Sequence, residues 1–251
     1  MTNELELNRI LFKDYESKIM SAAEAALLID NNSVVGSSGF TKAGDSKSVL
    51  PAFAKRAENE DVAITLITGA SLGYTTDADL AANNALNRRM PFMADPALRK
   101  SINDYKLKYI DQHLSETIEQ LICGHIAPVD TAIIEASLID ENGNIVPTTS
   151  IGNSAFFASQ AKKVIIEINT RIPLSFQGVH DCSVPNSYPD RDIINIQTVT
   201  DRIGDTFITV DPSKVVAVVY TDITDQPATV AEPDEKTSAI SGHLLNFFEQ
   251  E

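Results

Sequence analysis

Ser33-Val34-Val35 runs into Gly36-Ser37-Ser38-Gly39-Phe40-Thr41-Lys42-Ala43-Gly44, and about thirty residues on Ala63-Ile64-Thr65-Leu66-Ile67 runs into Thr68-Gly69-Ala70-Ser71-Leu72-Gly73. Each is a short β-branched run, then a small-residue turn, then a helical pattern. A strand, a glycine turn and a helix, twice over, make βαβ units and a parallel sheet. In such a sheet these turns lie at the carboxyl ends of strands, where ligands bind. Glycines there let the backbone come close to a ligand and present N–H donors. The bland alternative is a pair of tight βα turns with no ligand.

Outward from these loops the same alternation continues. A helix is expected over 5–20, with Leu5, Ile10, Leu11, Ile19 and Met20 as apolar contacts. Ser21-Ala22-Ala23-Glu24 is a capping box opening a helix to about Leu28. Asp45 or Ser46 can cap the next helix, where Pro51 is tolerated only near the first turn. A helix is expected near 77–88, and Asp95-Pro96 starts another. Tyr109-Ile110-Asp111 is a short extended piece, and Ser115 caps a helix over 116–123. Strands are expected over 131–139, 164–168, 193–199 and 215–220, with Asn142-Gly143 as a hairpin turn after the first. Residues 223–236 read as an acidic surface linker, followed by a helix over 237–249 with Ile240, Leu244, Leu245 and Phe248 on one face. The fold class is therefore α/β, an open, mostly parallel sheet flanked by helices, with some antiparallel strands in the second half.

The chain has 251 residues, enough for one large α/β domain or two small ones, and 43% are hydrophobic, enough for a real core. Lys and Arg number 20 against 35 Asp and Glu, a formal net charge of −15. Such a surface repels nucleic-acid phosphates and anionic lipid, so neither is an expected partner. Small anionic ligands stay open, because a few cations and backbone N–H groups suffice to hold them. Residues 1–20 lack the apolar stretch of a secretory signal, and no apolar run approaches the ~20 residues of a membrane helix. Cys123 and Cys182 have no metal-type spacing and are expected as packed or partly buried thiols of a cytoplasmic protein.

His113, His125 and His243 have no metal-ligand spacing with one another or with the cysteines, so no metal site is expected. His180-Asp181 invites a triad with Ser71, but adjacent His-Asp pairs are frequent by chance. Glu135 and Glu167 sit inside apolar strands, where a charge needs a partner. A carboxylate nucleophile is chemically open to them, but a paired structural glutamate near a strand end is the expected role. Lys42 could meet a phosphate or thioester oxygen, yet an exposed surface lysine is the simpler reading.

Further segments keep the same order: Leu98-Arg99-Lys100-Ser101-Ile102-Asn103, Tyr109-Ile110-Asp111-Gln112-His113-Leu114-Ser115 and Val129-Asp130-Thr131-Ala132-Ile133-Ile134-Glu135-Ala136-Ser137. Val164-Ile165-Ile166-Glu167-Ile168-Asn169, Gly178-Val179-His180-Asp181 and Asp201-Arg202-Ile203-Gly204 follow. With the two glycine loops, this set resembles the N-terminal half of the acetyl-CoA hydrolase/transferase family, the class I CoA-transferases that include succinyl-CoA:acetate CoA-transferases. The resemblance runs from about Leu11 to the last helix.

The resemblance implies two α/β domains with a site in the cleft between them. CoA moves between an acyl-CoA, such as acetyl- or succinyl-CoA, and a carboxylate such as acetate, through a glutamyl-CoA thioester. Coenzyme A is then a substrate, and no covalently bound cofactor is implied. The nucleophilic glutamate belongs to the C-terminal domain, and its motif is not found here. Residues 1–251 are thus expected to be the N-terminal domain, with no catalytic residue of its own and inactive alone. Its expected partners are acyl-CoA, small carboxylates and its own C-terminal domain. An exposed interface on a lone half would favour self-association, with a homodimer as one outcome. Ser71 matches a small-residue position beside the acyl and carboxylate site, with Gly69 and Ala70 in the same loop. Arg202 matches a cation that orients a carboxylate, although an arginine bonded to Asp201 or Asp205 is the structural alternative. Gly39, Phe40, Thr41 and Gly44 are expected to shape the pocket wall. Two other readings stand beside this one: a sugar-phosphate isomerase-like enzyme on a related fold, and a non-catalytic acyl-CoA-binding module.

Overall fold

A computed structural model describes residues 9–184, 186, 189–191 and 193–250. The first glycine stretch folds as expected: β1 (Val34–Ser37) enters the loop, and α2 (Val49–Arg56) leaves it, preceded by α1 (Ala22–Leu27). β2 (Ile64–Ile67), α3 (Thr76–Ala82), β3 (Leu86–Met90), α4 (Pro96–Asn103) and β4 (Lys108–Tyr109) repeat the unit outward. After α5 (Leu114–Ile122) come β5 (Thr131–Ile139), β6 (Ile145–Pro147), α6 (Ser154–Gln160), β7 (Lys163–Asn169), β8 (Val215–Thr221) and α7 (Glu235–Phe248). The sheet order is β4-β3-β2-β1-β5-β7-β8, parallel throughout, with β6 antiparallel to β5 across the Asn142-Gly143 turn.

Strand periodicity divides the core into two. Ala132, Ile134, Ile166 and Val218 face one layer with Phe156 and Phe157 of α6. Ile133, Ile165 and Ala217 face the other with Leu50 and Phe53 of α2, Leu80 of α3 and Leu98 of α4. At Gly36 a Cβ would lie 2.7 Å from the Phe157 ring, so the missing side chain is what lets α6 pack on β1.

Several expected elements are not formed, each for a local reason. Over the described part of 5–20 there is no α-helix. Ile10 bridges Ile139 at the end of β5, the Leu11 N–H donates to the Ile139 carbonyl at 2.9 Å, and Lys13–Lys18 is a 3-10 turn around buried Tyr15. The helix expected near 77–88 stops at Ala82, because Asn84 turns left-handed (φ 53°) and 86–90 becomes β3. The helix expected to be capped by Ser115 instead starts at Leu114, with His113 as its N-cap. No strand forms over 193–199. Ile193 and Val199 are almost fully exposed, and the N–H groups of Gln197 and Thr198 bond the Asp201 carboxylate in a local turn. Cys123 is exposed rather than packed, whereas Cys182 is buried. The last helix begins inside the expected linker, where Asp234 and Thr237 form a capping box. Among the described residues, no helix is long and apolar enough to cross a membrane.

Candidate functional site

From β1 the chain steps outward through β2, β3 and β4, then returns to lay β5 on the other side of β1. The carboxyl ends of β1 and β5 are therefore the switch point of the sheet, the position where open α/β sheets bind ligands. The first glycine loop leaves β1 at this point and the second leaves the neighbouring β2.

The two loops are packed into one unit. Phe40 and Ala43 exchange backbone hydrogen bonds of 2.9 and 3.1 Å, with φ of 47° at Thr41 and 66° at Lys42. That is a two-residue hairpin with both central residues left-handed, a position that suits Asn-Gly and strains a β-branched threonine. The strained tip holds Phe40 half-exposed. The Lys42 N–H then donates to the Ser71 carbonyl at 3.0 Å, and the Thr41 N–H reaches the Gly69 carbonyl at 3.4 Å. A Cβ on Gly69 would lie 1.9 Å from the Gly39 carbonyl oxygen, so the loops touch backbone to backbone. Ser71 is buried, and its Oγ accepts the Ala94 N–H at 2.9 Å, leaving its own hydroxyl hydrogen free to donate. Gly69→Ala is expected to push the loops apart at a cost of about 1–3 kcal/mol. Urea denaturation reads that loss, and amide exchange at 39–44 and 69–73 reads the loosening. An unchanged midpoint would show that the contact is not rigid.

Beneath the loops lies a cluster of buried charge. β5 and β7 run in register, Glu135 beside Glu167, so two carboxylates share one sheet face. Like charges placed so are destabilising, and each carboxylate has its own set of hydrogen-bond partners. Glu167 accepts the N–H groups of Lys47, Ser48 and Val49 at 2.9, 3.2 and 2.8 Å, and the Ser46 hydroxyl, capping the start of α2. Glu135 accepts the Lys47 ammonium and the Asn169 amide, each at 2.7 Å, and the Thr148 hydroxyl. Lys47 Nζ also meets Asp225 at 2.8 Å and Asp45 at 3.6 Å. Burial raises the Glu135 carboxyl to about 7 despite Lys47. Burial also raises Asp45 and Glu167. Burial works against the Lys47 charge, but Glu135 and Asp45 outweigh it and raise its pKa. Burial likewise opposes Asp225, whose bonds to Lys47, Thr149 and Gly44 outweigh it and keep it low.

Asp225 belongs to a strap that corrects the surface-linker expectation for its first residues. The Gly44 N–H donates to Asp225 at 3.0 Å, the Gln226 N–H to the Lys42 carbonyl at 3.2 Å, and the Tyr74 hydroxyl to the Thr224 carbonyl at 2.7 Å. Residues 223–226 are thus tied across both glycine loops. On the other flank, buried Arg89 donates to Asp77, Thr68 and the Ala70 carbonyl, and so holds the second loop in shape.

The structure brings Gly39, Phe40, Thr41, Gly44, Gly69, Ala70 and Ser71 to one place. It sets Arg202 elsewhere: the guanidinium donates to the carbonyls of His180 and Gly178 and borders a cavity of about 650 Å³ beside Ile118 of α5, whose lining does not include Ser71. Arg202 therefore bonds backbone rather than Asp201 or Asp205. The Ser71–His180–Asp181 constellation does not assemble, since His180 Nε2 meets the Thr148 carbonyl at 2.7 Å and Asp181 accepts the N–H groups of Ile203 and Gly204. Lys42 is half-buried at the hairpin tip. Among the described residues no group of three or more metal-ligating side chains gathers. Lys47, Asp225 and Arg89 escaped the sequence reading. The one signal for Lys47 was the need of Glu135 for a partner.

Residues 4–220 match the family described as acetyl-CoA hydrolase/transferase N-terminal domain. The succinyl-CoA:acetate CoA-transferase of Clostridium kluyveri is 38% identical over 94% of this chain and 44% of its own length. The acetyl-CoA hydrolase of Schizosaccharomyces pombe is 38% identical over 97% and 49%. The chain thus spans about half the length of these relatives. RipA from Yersinia pestis has the same fold, with a TM-score of 0.62 at 19% identity over 92% of this chain and 48% of its own. The glycine-loop sheet therefore belongs to the acetyl-CoA hydrolase/transferase family, as that family's N-terminal domain.

Proposed function

We propose that this chain forms one wall of a site that moves CoA between an acyl-CoA, acetyl- or succinyl-CoA, and a carboxylate acceptor such as acetate. A second domain contributes the glutamate that carries CoA as a glutamyl thioester. The observation that carries the reading is the family match over a chain about half as long as its relatives. The geometry supports it. Among the described residues the two buried glutamates, Glu135 and Glu167, are both committed to internal partners, so neither is free to attack a thioester. The Ser71 hydroxyl, whose Oγ accepts the Ala94 N–H, keeps its own hydrogen to donate, which supports a role as donor to a developing oxyanion. Phe40 supplies apolar wall, the Gly39 carbonyl meets Gly69 of the second loop, and Gly44 turns the first loop against Thr148 and Ser150. Arg202 serves a carboxylate only if its fork leaves the carbonyls it now binds.

Turnover of succinyl-CoA with acetate tests the proposal. This chain alone is expected to be inactive, and fusion to the C-terminal half of the Clostridium kluyveri relative is expected to be active. Ser71→Ala in that fusion is expected to lower kcat by about 10²-fold. Robust turnover by the chain alone, or a folded fusion inactive with every acyl-CoA, overturns the reading.

A further inference from the structure

At the β3–β4 edge, with no glycine-loop residue in its lining, lies a groove of about 770 Å³. Arg88, Lys106 and Lys108 line it together with Tyr105, Tyr109 and Asn87, and no acidic residue does. This is anomalous in a chain of net charge −15. Arg88 and Lys108 are register partners on adjacent strands, and like charges so placed repel. Among the described residues none of the three cations forms an ion pair. Asp104, whose charge Lys106 also feels, is already held by Lys100 at 2.5 Å.

Tyr105 is the second anomaly. It sits just past the C-cap Asp104 of α4 with φ of 58°, the left-handed position that normally takes glycine. Its ring is 95% exposed. Neither packing nor backbone geometry accounts for a tyrosine there, and strain held without a structural return points to function. An aromatic face held in solvent beside three cations that form no ion pair among the described residues matches a ligand with a flat ring and several phosphate charges.

We propose that this groove binds a nucleoside diphosphate, with its phosphates on Arg88, Lys106 and Lys108 and its base stacked on Tyr105. The patch is too local, on so acidic a chain, for a nucleic-acid strand. No glycine-loop residue lines the groove, which is formed by Thr65 of β2, by α4 and the turn after it, and by β3 and β4, whereas the glycine loops follow the carboxyl ends of β1 and β2. The same chemistry is present in a free nucleotide and in the nucleotide end of coenzyme A.

Titration calorimetry with ADP, coenzyme A, pyrophosphate and adenosine tests it on the full chain. ADP is expected to bind saturably with Kd under about 1 mM, pyrophosphate about tenfold more weakly, and adenosine not measurably. Arg88→Glu and Lys108→Glu are each expected to weaken ADP at least about tenfold, while Lys55→Glu on α2 leaves it unchanged. Tyr105→Gly relieves the left-handed backbone, so Tm is expected to hold or rise while ADP binding falls about tenfold. Coenzyme A that competes with ADP and responds to the same substitutions identifies the coenzyme as the source. Coenzyme A that does not compete identifies a free nucleotide. Absence of saturable ADP binding, binding indifferent to both charge reversals, or pyrophosphate equal to ADP overturns the proposal.

Discussion

Lys47→Met is expected to destabilise the fold by about 3–5 kcal/mol, a large part of the 5–15 kcal/mol typical of a domain. Lys47 Nζ is the cation at 2.7 Å from Glu135 and 2.8 Å from Asp225, with Asp45 at 3.6 Å. Methionine matches the stem but leaves these carboxylates facing one another in a buried space. Glu135 keeps Thr148 and Asn169, which do not cancel its charge. The deficit depends on pH in a defined direction. Burial already raises Glu135 to about 7, above its unfolded value, so its protonated form is favoured in the folded state. Without Lys47 that preference strengthens. The variant is therefore expected to lose least near pH 5, where Glu135 takes a proton, and most near pH 8. Urea midpoints at both pH values check this. Glu135→Gln placed on Lys47→Met is expected to recover part of the loss, because the amide needs no cation. A deficit equal at the two pH values, unrelieved by Glu135→Gln, contradicts the account.

Arg89→Met is expected to cost a similar amount, about 3–5 kcal/mol, for a different reason. Its buried guanidinium donates to Asp77 at 3.0 Å, Thr68 at 2.8 Å, the Met90 carbonyl at 2.7 Å and the Ala70 carbonyl at 2.8 Å. Asp77 in turn accepts the Leu72 N–H at 3.0 Å. One planar fork thereby holds the second glycine loop, including Ala70 at a φ of 108°. Arg89→Lys is not expected to rescue it, since an ammonium is a point charge and cannot span these acceptors. Both variants are expected to speed amide exchange at 68–73, where Ser71 is carried. An Arg89→Lys protein with a wild-type midpoint and a protected loop would rule out the fork as the holding element.

The parts of this fold that were legible in the sequence have local causes. Ser21 and Glu24 form their capping box as read, and Asp95 caps α4 with Pro96 in its first turn. The strands of 34–37, 64–67, 131–139, 163–169 and 215–221 announce themselves as β-branched apolar runs, because both faces of a parallel sheet are buried. β3 was illegible: Leu86-Asn87-Arg88-Arg89-Met90 is polar at its centre, and it stands as a strand between β2 and β4 with Arg89 received by Asp77, the Thr68 hydroxyl and the Ala70 carbonyl. The opposite error arose at 193–199, where β-branched residues find no neighbouring strand and stay exposed. Ile10 and Leu11 are placed by β5, whose end pairs with them.

The sequence by itself determined which family the chain belongs to and where the two glycine loops lie. The glycine loops are short-range signals: a turn needs its small residues at fixed offsets from the strand. It also showed that Glu135 and Glu167 need partners. Only the tertiary structure decided who those partners are. Lys47 lies 88 residues from Glu135, and Asp225 lies 181 residues from the Gly44 N–H it accepts. Ion pairs and hydrogen bonds act over a few ångströms of space and carry no signature in sequence distance. The same limit separated Arg202 from Ser71. The loops opened as two similar turns, and the fold made them one unit, backbone against backbone, over a buried lysine.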